Sequence, residues 1–180
     1  DLLARQRRLS DDENRTVAVS RIGSKLQSIT LSEEQSENLH YQGRAIQKPT
    51  GTRWTTREIE AAQAYLQSID AELAGLHKAM SLPDSNYAIP WTTPAMIVQM
   101  PELSWMRTGA KALSLGTMTA AMLGDRNRAE RSLLEARGMN KIVDGADSII
   151  GSLVQIAIDT MLCDLTERVI NQGALSDLAL

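Results

Sequence analysis

Apolar side chains recur along this chain at alternating steps of three and four, the spacing of one face of a helix, with little of the strict alternation that marks strands. The pattern predicts an all-α single domain over residues 1–180, a bundle of about six helices. The first helix spans about 11–28, with Ser10 as N-cap and Asp11, Asp12 and Glu13 at the positive end of its dipole. Ala18, Ile22, Leu26 and Ile29 line one side of it. A second opens at the capping-box pattern Ser32-Glu33-Glu34-Gln35 and carries Leu39 and Ile46 on an otherwise polar surface, until Lys48-Pro49-Thr50-Gly51 stops it. The most regular element comes next. Thr55 and Glu58 form another capping box, and Ile59, Ala62, Leu66, Ile69, Leu73, Leu76 and Met80 continue as a heptad seam along one helix.

Residues 81–101 break the pattern. Pro83, Pro90, Pro94 and Pro101 interrupt any helix, and Tyr87 and Trp91 stand among them as expected anchors of an internal linker ordered against the bundle. Pro101 suits the first turn of the following helix, along which Leu103, Met106, Ala110, Leu113, Thr117 and Ala120 recur. Gly124-Asp125 ends that helix, and Asp125 caps another that turns Ala129, Leu133 and Ala136 inward and stops near Gly138. The last helix covers about 147–171, with Gly173 as its stop. Its apolar face is unusually wide, including Ile149, Ile150, Leu153, Ile158, Leu162, Leu165 and Val169, and so predicts a place at the centre of the bundle beside the heptad helix.

Composition narrows the function classes. Three Trp, three Tyr and no Phe, with eight Met, favour helix packing over a sheet. Charge is 19 basic against 22 acidic side chains, and the one dense basic run is Arg5, Arg7 and Arg8 at a terminus, so no nucleic acid is expected as a partner. There is no unbroken run of 18 apolar residues, and no transmembrane span is expected. The chain begins with Asp1; a signal peptide or anchor upstream would place the protein outside the cytoplasm.

The candidate chemistry is sparse. Glu37 and His40 form one Glu-x-x-His pair, but a di-iron bundle needs two, and His77 has no carboxylate three residues before it. Both histidines are therefore read as exposed surface residues, and neither a metal nor another cofactor is expected. Cys163 lies on the most apolar helix, where a thiol is ordinarily a buried small hydrophobe. With only two histidines in the chain a catalytic triad is possible but unsupported, and Gly109-Ala110-Lys111 lacks the spacing of a phosphate loop. With no convergent catalytic signature, a non-enzymatic interaction or scaffold domain is favoured, its partner a protein or a second copy. The alternative is a small-molecule-binding or enzymatic bundle with a pocket under residues 81–101.

Two resemblances extend this reading. Residues 113–136, with Ala121-Met122-Leu123-Gly124-Asp125 followed by Ala129, Leu133 and Ala136, resemble one tetratricopeptide helical hairpin. That family binds ligands on the face lined by its first helices. The resemblance thus implies partner binding by polar residues of the helix near 102–123, notably Arg107 and Lys111, four apart on one face. More of the chain is similar to the helical domain of a large group of secreted or membrane-anchored proteins of planctomycete-type bacteria. The motifs that carry this are Asp11-Asp12-Glu13-Asn14, Pro83-Asp84-Ser85-Asn86-Tyr87-Ala88-Ile89-Pro90-Trp91, the Gly124-Asp125 turn and the run from Ser148 to Ile158, in that order. The group has no established activity, so the similarity implies a helical fold and an extracytoplasmic location only.

Overall fold

A computed structural model describes residues 10–11, 13–43, 48–82, 85, 100–143 and 149–174, and among these residues it contains helices and no strand. Seven helices follow in order: α1 Arg15–Gln27, α2 Glu33–Asn38, α3 Thr56–Ser68, α4 Asp70–Met80, α5 Pro101–Met122, α6 Arg126–Val143 and α7 Ile149–Asn171. The centre is α5, which packs against α1, α3, α4, α6 and α7, while α2 rests on α3. From Gly109 to Met122 every residue of α5 except Lys111 is buried. Two local features make that possible. Many of these side chains are small, so neighbours approach from all sides. The hydroxyls of Ser114, Thr117 and Thr119 donate to the carbonyls of Ala110, Leu113 and Leu115 at 2.9, 2.8 and 2.7 Å, so each finds its partner within the helix. On the α1 side, a Cβ placed on Gly23 would lie 2.2 Å from the carbonyl oxygen of Trp105, so only glycine lets the two backbones meet there.

Several local signals act as read. Both capping boxes form, at Ser32/Gln35 and at Thr55/Glu58. Pro101 opens α5, and Asp125 accepts the Arg128 backbone N–H at 3.1 Å. Gly124 and Gly173 adopt positive φ at 77° and 64°.

Others differ. The N-cap of α1 is Asn14, whose side chain accepts from the Thr16 N–H at 3.0 Å, and Ser10 instead donates its hydroxyl to Glu13. The helix from Ser32 stops at Asn38, short of Ile46, because Leu39 turns inward and is fully buried. The heptad helix is two helices. Ile69 leaves helical geometry at φ −114° and ψ 20°, and the Ser68 hydroxyl donates to the Tyr65 carbonyl. The bend lets one seam serve two neighbours, α3 packing on α5 and α4 chiefly on α1. The last helix is not central: α7 buries only Gly151, Ile158, Leu162, Leu165, Arg168 and Val169. The anchors expected in the proline-rich linker, Tyr87 and Trp91, lie outside the described residues.

Candidate functional site

Neither histidine is the exposed surface residue that the sequence suggested. His40 is 1% exposed, its ring stacked on Trp54 with centroids 4.6 Å apart. Its Nε2 lies 3.1 Å from Glu58 Oε1, while Glu37, its supposed partner, is exposed. The other Glu58 oxygen accepts from Lys48 Nζ at 2.5 Å, from the Thr55 N–H at 2.6 Å and from the Thr55 hydroxyl at 2.8 Å. Burial pushes the Glu58 carboxyl up, but the bonds from Lys48, Thr55 and His40 outweigh it and hold the group at about 2. Burial lowers His40 below 6.5 against the pull of Glu58, and Nδ1 is buried without a partner among the described residues, as suits a neutral ring. Arg168 of α7 completes the cluster, donating to Asp164 at 2.7 Å and to the Lys48 carbonyl at 2.5 Å. Among the described residues the ring is enclosed on all sides, and the bonds of the cluster tie Lys48 to α3 and α7.

His77 is more accessible. Its Nδ1 bonds Glu135 across α4 and α6, at the wall of a cleft of about 780 Å³ that also presents Lys78, Arg128 and Arg131. A carboxylate on one imidazole nitrogen orients the ring, as in many sites that bind or deprotonate a ligand. Among the described residues, no group of three or more His, Cys, Asp and Glu gathers as a metal would require.

The largest departure is on α7. Ile149, Ile150, Leu153 and Ile156 are 82, 51, 61 and 60% exposed. The stripe Ile149, Leu153, Ile156, Thr160, Cys163, Glu167 and Ile170 steps four and three throughout and is exposed along its length. It runs beside the buried stripe of Ile158, Leu162, Leu165 and Val169. Cys163, expected to be buried, is exposed on it, in a groove of about 600 Å³ between α6 and α7 that Arg137, Lys141, Asp159 and Ile170 also line. Asn140 of α6 donates to Asp159 at 2.5 Å and fixes the alignment of the two helices. By length and composition alone α7 could cross a membrane, though no unbroken apolar run revealed it, and only 22% of its most apolar window is buried in the protein.

The two residues implied by the hairpin resemblance sit on α5. Arg107 is exposed and Lys111 half-buried, and burial, then the Arg107 charge, lowers the Lys111 ammonium below its usual range. Neither lines the α4–α6 cleft or the α6–α7 groove.

No family model matches the chain, and no curated protein or solved structure matches it either. What the protein does must be argued from its own surfaces.

Proposed function

We propose that this chain is a non-enzymatic helical interaction domain that docks an apolar helix along α7, displayed outside the cytoplasm. The observation that carries it is the exposure of Ile149, Ile150, Leu153 and Ile156 on one end of a helix whose other end is held in the bundle. Four large aliphatic side chains exposed side by side on one helix form a contiguous apolar patch of the kind that often serves as a contact surface. Heptad spacing fits that surface to a helix, and the absence of any charged residue from Ile149 to Ile158 favours an apolar face on the partner. The extracytoplasmic location rests on the planctomycete-type resemblance alone. In this reading Arg107 and Lys111 contact acidic parts of a partner that also crosses α5.

The test is a titration of a fluorescent three-heptad leucine–lysine helix against the protein. Saturable binding is expected, and Leu153→Glu with Ile156→Glu abolishes it although the added charge would attract lysine. Undiminished binding to that variant defeats the reading.

A second reading is favoured by a separate observation, the His77–Glu135 pair beside Arg128 and Arg131. It makes the α4–α6 cleft a site for a small anion. Calorimetry with inorganic phosphate and citrate tests it, and heat unchanged by Arg131→Ala counts against it.

A further inference from the structure

Resting on the reading of α7 as an interaction face, we infer that its occupant is α7 of a second copy, paired antiparallel over the first three turns. Charge sets both the occupant and the register. From Ile149 to Ile158 the helix carries no charged residue, so the patch meets its own image without repulsion, as a two-fold contact requires. The acids Asp159, Asp164 and Glu167 all lie in the other half. A parallel pair would bring each set of acids together along the seam. An antiparallel pair centred between Leu153 and Ile156 overlaps residues 149–160, among which Asp159 is the one charged residue, and carries Asp164 and Glu167 to opposite ends. Leu153 then packs on the partner's Ile156, and Ile149 on the partner's Thr160, in the a-to-d layers of an antiparallel coiled coil.

Area and anchoring agree. Two such patches together would bury roughly 1,000 Å², the area of a weak, reversible contact. The C-terminal half of α7 stays fixed through Leu162, Leu165, Val169 and the Arg168 bond to the Lys48 carbonyl, so pairing needs no rearrangement of the bundle. A lipid surface fits less well. Membrane-surface helices flank their apolar face with Lys and Arg, whereas α7 carries three acids and one Arg, and Asp144 and Asp147 precede it in sequence.

Sedimentation velocity of the native chain across a wide concentration range tests the pairing. A reversible dimer is expected, converted to monomer by Leu153→Glu with Ile156→Glu while far-ultraviolet dichroism is unchanged. The milder Leu153→Ser raises the dissociation constant at least tenfold. Cys163 reports the register. In the antiparallel pair the two sulfurs lie about 25 Å apart along the axis at 1.5 Å per residue, beyond the reach of a disulfide. Copper-catalysed oxidation therefore leaves the dimer uncrosslinked, and abundant crosslinking overturns the antiparallel arrangement. A chain that stays monomeric yet still binds the leucine–lysine helix refutes the second copy while the interaction reading stands. One that binds neither refutes both. A monomer that floats with phosphatidylcholine–phosphatidylglycerol vesicles, and no longer does so as the double variant, assigns the patch to lipid and also overturns the inference.

Discussion

α5 and α7 have nearly the same length, 22 and 23 residues, and the more apolar of the two is the one left at the surface. α5 contains glycine, alanine, serine and threonine where α7 contains isoleucine and leucine. Its hydroxyls bond backward to its own carbonyls, so burying them leaves nothing unpaired, and its short side chains let five other helices approach. α7 has more to gain from burial but covers itself along one stripe only. The position at the centre therefore goes to the helix that can be surrounded, and the surplus hydrophobicity of the other is left at the surface.

The sharpest way to break this comparison is to make one truncation on each helix. Leu115→Ala, at a fully buried position of α5, is expected to cost about 2–5 kcal/mol. Leu153→Ala on α7 should change the stability of the monomer by less than about 0.5 kcal/mol. Urea unfolding of both variants at low concentration decides it, and equal losses would end the distinction.

Next in size is the carboxylate that joins α3 to the segment held by α7. Glu58→Ala removes a cap worth about 1 kcal/mol and leaves buried His40 unpaired at about 1–3 more, so a loss of about 2–4 kcal/mol is expected at neutral pH. The sign with pH follows from the direction of the shift. Glu58 is held at about 2 in the fold against 4.5 otherwise, so its stabilisation is complete above 4.5 and drains away between 4.5 and about 2. The gap between native chain and variant should narrow across that window in urea midpoints. His40 adds an earlier decline in the native chain below 6.5, where the unfolded ring accepts a proton that the buried ring refuses.

The approach of α1 to α5 gives a smaller effect. Gly23→Ala is expected to cost about 1–3 kcal/mol, since the Trp105 backbone must retreat. Smallest is Thr117→Val, which exchanges a hydroxyl satisfied within α5 for a methyl and should alter stability by less than about 1 kcal/mol. A much larger loss would show that the hydroxyl serves a neighbour and not its own helix.

Helical class, both capping boxes, Pro101, Asp125 and Gly173 were legible because each is a local rule, decided within a few residues of the chain. The assignment of the centre was not, since hydrophobic periodicity ranks faces by transfer energy and is blind to crowding. Gly23 carried no signal at all: its meaning appears only when Trp105 is laid beside it, 82 residues later in the chain. The same holds for His40, whose local context offered Glu37 as a partner while the fold supplies Glu58, and for His77, whose carboxylate arrives from α6. Of the candidate surface, the composition of α7 was plain but its exposure was not. A stripe that fills a core and one that awaits a partner are written in the same letters.

The central place of α5 has a consequence for the living cell. α1, α3 and α4 all touch a helix that ends at Met122, so a growing chain that has emerged only as far as Met80 can pair α4 with α1 but has nothing yet to cover the faces these helices turn toward α5. At ~5–20 residues per second the ribosome leaves that state open for several seconds. During the interval Leu66, Leu73 and Leu76 are as available to a chaperone as to each other. The segment before α5 is made to wait, and whatever attends it at the tunnel exit has its best opportunity before α5 appears.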